Sequence, residues 1–369
     1  MSSMWNRGIS LSIFGESHGK AIGVVVDKLP AGEKIDLDIV QEWMNRRAPG
    51  HCQPGSTPRR EMDNPTILSG YLNGKTTGTP LAAIIENQNT ISKDYNQLEH
   101  LFRPGHADYS GFMRYQGNND RAGGGHFSGR LTAPIVFTGA IAAQILQRYG
   151  IYIAAHILQI HNVSDMPFDA VNPDFSKLLA LKKEALPTLS KEAAAQMQQV
   201  IQKASSNHDS VGGIVECMAL GVPSGIGNPI FHGIENDIAS LAFGIPAVRG
   251  ITFGDSEYSS SLMGSENNDA FYLEQGKIKT KTNRHGGILG GITTGMPIVF
   301  RLSFKPTPSI AKSQDTVNWT SKKEETLCLK GRHDACIVPR AVVVVESVMA
   351  ITLLSQLLEA KKFDLFREK

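Results

Sequence analysis

Two histidines stand where general acid–base chemistry could be done. His18 lies in Gly15-Glu16-Ser17-His18-Gly19 and His106 in Arg103-Pro104-Gly105-His106-Ala107-Asp108, each in a glycine-bearing loop beside a hydroxyl or carboxylate. An imidazole can give or take a proton near neutral pH, and two such loops point to acid–base work more strongly than one surface histidine would. A third loop, Arg121-Ala122-Gly123-Gly124-Gly125-His126-Phe127-Ser128-Gly129-Arg130, strings glycines between two arginines. Its exposed backbone N–H groups, with the Ser128 hydroxyl and a helix beginning just afterwards, suit an anion or a cofactor phosphate. Lys305-Pro306-Thr307-Pro308-Ser309 and Gly331-Arg332-His333-Asp334 again combine a cation with hydroxyl or carboxylate. If folding gathers Arg46, Arg47, Arg103, Arg130 and Arg332, they suit a small substrate carrying several negative groups.

Competing motifs fare less well. Gly15 to Gly19 also fits the G-x-S-x-G nucleophile elbow, so a serine hydrolase using Ser17 is the alternative reading. That elbow needs a helix straight after the serine, whereas Ala21 to Asp27 is valine-rich and reads as strand, and no His-Gly-Gly-Gly oxyanion motif occurs. Gly70 to Thr76 is one residue short of a phosphate loop, and no G-x-G-x-x-G opens a helix after a strand. No H-E-x-x-H or similar spacing appears, so no metal is expected.

The elements that must position these loops can be read from periodicity. Leu11 to Phe14 and Ala21 to Asp27 form a hairpin with the His18 segment at its turn. Asp36 caps a helix through about Arg47, with Ile39, Val40, Trp43 and Met44 on one face. Ile67 to Leu72 and Lys75 to Glu86 flank the hairpin turn Asn73-Gly74. Ser110 to Arg130 is too rich in glycine and polar residues for regular structure. Helices are expected over Thr132 to Gln147, over Asn236 to Phe243, over Arg340 to Lys361, and as a pair between Leu178 and Asn207 broken at Pro187. Strands are expected over Ile151 to Leu158, Gly213 to Val222, Val248 to Phe253 and Gly291 to Phe304. Adjacent strand pairs separated by long helices favour a layered α+β fold with antiparallel sheets.

Composition narrows the class. With 41% hydrophobic and 20% charged residues over 369 positions, the chain can bury a large core without staples. A net charge of +2 and 7% aromatics argue against a nucleic-acid platform. The cysteines (Cys52, Cys217, Cys328, Cys336) form no framework or zinc spacing, the amino terminus lacks a signal pattern, and Ala341 to Leu358 is interrupted by Glu346, Ser347, Ser355 and Gln356. A cytoplasmic enzyme, away from membranes, is the expectation.

Taken together, the loops resemble the chorismate synthase family. The resemblance rests on Gly15 to Gly19, Arg103 to Asp108, Arg121 to Arg130, Asn283 to Gly291 (NRHGGILGG), Lys305 to Ser309 and Gly331 to Glu346 (GRHDACIVPRAVVVVE), in the family's order over nearly the whole chain. It implies one domain over residues 1–369, with helices packed between antiparallel sheets, assembled as a homotetramer. It also implies a lyase that eliminates phosphate from 5-enolpyruvylshikimate-3-phosphate to give chorismate, with reduced FMN and with NADPH as a candidate reductant. By position, His18, His106, Asp334 and Ser17 are the implied catalytic residues. His126, Phe127, Ser128, Ala247, Gly286, Lys305, Pro306, Thr307, Pro308, Ser309 and Arg332 are the implied flavin contacts. Arg46, Arg47, Arg103, Arg130 and Arg332 are implied to hold substrate anions, and Arg47 also reduced nicotinamide. A non-catalytic flavin-binding relative is a further alternative, because the chain departs from the family pattern. Arginines are usual where it has Ala48, Gln53 and His126, and proline where it has Ala335.

Overall fold

The computed structural model describes residues 3–49, 63–87, 100–329 and 334–360. Alternating apolar residues in β2 (Ser10–Gly15) and β3 (Ala21–Asp27) turn Leu11, Ile22, Val24 and Val26 inward, with β1 (Met4–Asn6) added along β2. In α1 (Leu37–Arg47), Asp36 caps the first turn by accepting from the Asp38 N–H, and Val40, Trp43 and Met44 are buried. Ile39, expected on the same face, is exposed instead. β4 (Pro65–Ser69), β5 (Tyr71–Leu72), β6 (Lys75–Thr76) and β7 (Leu81–Glu86) follow. Asn73-Gly74, both left-handed, closes the β5–β6 hairpin, while β7 carries β4 against β3. The result is an antiparallel sheet in the order β1-β2-β3-β7-β4.

A helix, α2 (Asp108–Tyr115), stands where irregular chain was expected. Its Gly111 is there for packing, since a side chain would meet the Phe127 ring at 2.5 Å. Next come α3 (Thr132–Arg148), β8 (Tyr152–Ile160), β9 (Val163–Ser164), α4 (Phe175–Leu181), α5 (Lys191–Ser206), β10 (Gly213–Leu220), α6 (Ile234–Ala242) and β11 (Val248–Phe253). Short helices α7 (Ser256–Ser259) and α8 (Gly264–Asn267) precede the hairpins β12 (Phe271–Glu274) with β13 (Lys277–Thr280) and β14 (Ile288–Leu289) with β15 (Ile292–Thr293). The expected strand from Gly291 to Phe304 is therefore split, because left-handed Gly295 and Pro297 interrupt it before β16 (Ile298–Phe304). The hairpin of β17 (Gln314–Asn318) and β18 (Lys323–Leu327) and the long α9 (Val338–Glu359) complete the chain. The second antiparallel sheet runs β11-β16-β10-β8-β9.

Helices α3 and α9 pack on each other between the sheets, α3 also against α1 and β3, α9 also against β8 and β10. Gly139 of α3 leaves room for the Ser347 side chain of α9. The polar residues that interrupt α9 find partners inside the core, although Gln356 Oε1 is left without one among the described residues. Glu346 accepts from both terminal nitrogens of Arg46 and from the Ala155 N–H, Ser355 accepts from the Ile9 N–H, and Gln356 donates to Asp237 and the His232 carbonyl. By length and composition alone Gly129–Arg148 and Val338–Glu359 could cross a membrane, but 83% and 94% of their apolar windows are buried within the protein. The layered α+β architecture expected from the sequence is the one observed.

Candidate active site

The turn between β2 and β3, the loop before α2, the glycine run and the start of α9 converge on a cavity of about 540 Å³. Ser17, His18, Arg47, Arg103, His106, His126, Phe127, Ser128, Arg130, Ala247, Lys305, Thr307, Pro308, Ser309 and Asp334 all line it. Arg332 lies outside the described residues. Three assigned residues do not reach the wall. Arg46 points into the core, where its Nη1 and Nη2 donate to Glu346 at 2.6 and 3.0 Å. Gly286 allows close backbone approach instead, since a Cβ there would lie 2.6 Å from the Gly254 nitrogen and 2.7 Å from the Val299 carbonyl oxygen. Pro306 faces a neighbouring groove.

The glycine run separates the two histidines. Gly123, Gly124 and Gly125 have φ of 60°, 89° and 53°, so each occupies left-handed space. A Cβ on Gly123 would overlap Cε1 and Nδ1 of His18, and one on Gly124 would sit 3.2 Å from Nε2 of His106. The run thus seats an imidazole on each of two successive glycines, a packing role beside the anion cradle expected from sequence. Asn87, which sequence reasoning missed, brackets the His18 turn by donating from Nδ2 to the carbonyls of Glu16 and Gly19, at 3.0 and 2.8 Å. Its Oδ1 accepts from Arg130 Nε at 3.0 Å. His126, standing where family members have arginine, bridges the Gly15 carbonyl (2.8 Å) and Ser3 Oγ (2.6 Å), bracing that turn.

His106 is fixed from its own loop. Asp108 Oδ1 lies 2.6 Å from His106 Nδ1, and Arg103 donates to the same carboxylate from its backbone N–H, Nε and Nη2 at 3.0, 2.8 and 2.7 Å. Burial raises the Asp108 pKa, but these hydrogen bonds and the Arg103 charge outweigh it and hold the carboxyl well below its usual range.

A second cluster gathers around Asp63, fully buried. Its carboxylate accepts from Arg47 through Nε (2.9 Å) and Nη2, and from Arg130 through Nη1. Burial pushes Asp63 up, yet the two guanidiniums keep it below the usual carboxylate range. Arg47 is lowered, by burial first and then by the charges of Arg340 and Arg130, against the pull of Asp63. Arg340 donates from Nε to the Arg47 carbonyl at 2.9 Å and from Nη1 to Asp334 at 2.5 Å. Sequence reasoning placed Arg340 only at a helix start and left Asp63 unmentioned. The first follows Asp334 by six residues and meets it in the cavity, but Asp63 carried no motif signal. Ala48, standing where the family has another arginine, is fully buried at the end of α1 and absent from the cavity wall.

Arg47, Arg103, Arg130, Arg340 and Lys305 against Asp63, Asp108 and Asp334 leave an excess of positive charge. The wall opposite is apolar, with Phe243, Ile245, Pro246, Ile337 and Val344. A cationic end and an apolar wall fit a flavin phosphate and its planar ring, with room for a small polyanion. Lys305 is lowered by burial and then by the charge of Arg249, and donates to the Gly105 carbonyl. Ser17, by contrast, is followed by the strand β3 and not by the helix a nucleophile elbow requires.

Fold and site together define an α+β sandwich whose cavity sets paired histidines among cationic side chains. The sequence profile described as chorismate synthase matches residues 9–358. Proteins named chorismate synthase from Lancefieldella parvula (44% identical, covering 97% of this chain and 96% of that protein) and Thermococcus kodakarensis (45%, 98% and 99%) align over nearly their full lengths. That of Pyrococcus abyssi is 46% identical, with 98% and 99% covered. A solved structure titled Crystal Structure of Chorismate Synthase superposes with a TM-score of 0.75 at 27% identity, covering 98% of this chain and 96% of that one. The chain belongs to the chorismate synthase family, which makes it a lyase and sets aside the hydrolase alternative.

Proposed function

We propose that the cavity binds 5-enolpyruvylshikimate-3-phosphate and carries out its 1,4-elimination to chorismate and inorganic phosphate. The C–O bond to phosphate and one ring C–H bond break, the proton leaving the ring balances the one the phosphate takes up, a conjugated diene forms, and no net oxidation occurs. The observation that carries this reading is the seating of His18 and His106 on adjacent glycines at a wall lined by Arg47, Arg130 and Arg340. His18 delivers a proton to the departing phosphate, and the arginines stabilise charge developing on its oxygens. Arg103 and Arg130 hold substrate carboxylates. Ser128, Ala247, Lys305, Thr307, Pro308 and Ser309 hold reduced FMN against the apolar wall, with Asp334 and His106 beside it. Reduced FMN, when bound, supplies electron density to the allylic system and recovers it.

This reading extends to one domain, a homotetramer in the cytoplasm, and NADPH as the source of flavin electrons. An anaerobic assay with chemically reduced FMN tests it by following chorismate and phosphate together. Equal yields, only with reduced flavin, support the elimination; binding of both ligands without phosphate release would mark a non-catalytic relative.

A further inference from the structure

We propose that Asp108 is a positioning residue that fixes the tautomer of His106 and so leaves Nε2 as the working nitrogen. An ionised carboxylate only accepts, so the 2.6 Å contact between Asp108 Oδ1 and His106 Nδ1 places the proton on Nδ1. Arg103 Nη2, 3.1 Å from the same Nδ1, is itself a donor and shares Oδ1 instead of competing for the proton. With Nδ1 protonated, a neutral His106 has its lone pair on Nε2, the edge beside Gly124 at the cavity wall. Asp108 is buried and opens α2, where a negative charge also suits the helix dipole. The charged and titratable groups around His106 are Arg103 and Asp108 from its own loop, His18 across the glycine run and Lys305, bonded to the Gly105 carbonyl. Among these Asp108 is the acceptor set directly against Nδ1, and it orients the ring.

The inference rests on the proposed elimination taking place in this cavity with His106 taking part, and the test separates the two claims. Chorismate formation is measured with the full chain and reduced FMN for wild type, Asp108→Asn, His106→Ala and the double variant, across pH. An asparagine amide can donate to Nδ1 and so drives the ring toward the opposite tautomer. Asp108→Asn is expected to lower kcat by ~10²–10⁴-fold, comparable with His106→Ala, while a rise in substrate KM beside it reports the loosened Arg103 that Asp108 also holds. Its pH profile should change, because Nδ1 has lost the carboxylate that faces it. In the double variant no further loss is expected, since Asp108 acts through His106. Asp108→Glu, which keeps the charge, should recover part of the rate and identify a variant that folds. Multiplicative losses in the double variant, or Asp108→Asn with wild-type rate and pH profile while His106→Ala is impaired, would overturn the inference and leave the site reading intact. A fully active His106→Ala would remove the site reading itself.

Discussion

Replacing Gly123 by alanine tests whether the glycine run exists to seat His18. The added methyl group would overlap two atoms of the His18 ring, and the residue would be locked at a φ of 60°. Left-handed backbone costs an L-residue about 1–2 kcal/mol, so stability should fall by that amount. Relief of the overlap requires the imidazole to retreat by ~1 Å or more, and a misplacement of that size in a positioned group costs ~10²-fold in rate. The expected outcome is a folded protein with kcat reduced ~10²-fold and its affinity for reduced FMN little changed. Gly124→Ala should be milder, since its Cβ would stand 3.2 Å from His106 Nε2 and a shift of a few tenths of an ångström restores normal contact. Gly129→Ala, in the same loop but with open space around its Cβ, is the control and should be silent. Steady-state chorismate formation, with chemical denaturation alongside, measures all three. A Gly123→Ala protein that keeps wild-type kcat would refute the seating argument. Equal losses at all three positions would mean that loop flexibility, not ring packing, sets the rate.

Two further outcomes follow from placements that sequence reading did not supply. Arg46→Ala should leave substrate KM unchanged and destabilise the fold by about 3–5 kcal/mol, because it strands the fully buried Glu346 charge; a raised KM at unchanged stability would return Arg46 to the substrate set. His156 is buried between Asp165 (3.3 Å) and Glu216 (3.0 Å). Burial lowers its pKa, but hydrogen bonds to those carboxylates outweigh this and raise it, while Asp165 and Glu216 are held low by the same contacts. A raised histidine stabilises below its unfolded value of ~6.5 and loses that contribution as pH climbs through the folded value. Lowered carboxylates stabilise above their unfolded value of ~4 and lose it as pH falls. The stability gap between wild type and His156→Gln, read by urea unfolding, should therefore be widest near pH ~5–6 and shrink on either side; a gap independent of pH would disprove the charged triad.

Much of the scaffold was legible because local rules and tertiary packing agreed. Asp36 capping α1, Asn73-Gly74 closing a hairpin and the apolar runs of α3 and α9 are signals that a residue's near neighbours suffice to set. Where distant packing decides, near neighbours carry no signal. Gly111 marks close approach to Phe127 inside a helix, and Gly286 marks a crossing of backbones, yet both read as loop chemistry. Arginine count was equally ambiguous, because a guanidinium serves a core carboxylate or a ligand with the same donors.

The sequence by itself determined the α+β layering and the family, since motif order and hydrophobic period survive without coordinates. Only the tertiary structure decided that Arg46 belongs to Glu346, that Asp63 backs Arg47 and Arg130 while Arg340 joins them at the cavity wall, and that two histidines about ninety residues apart share one glycine seat. Side chains remote along the chain meet only once the sheets and helices have packed, and their partners, not their types, then assign their roles.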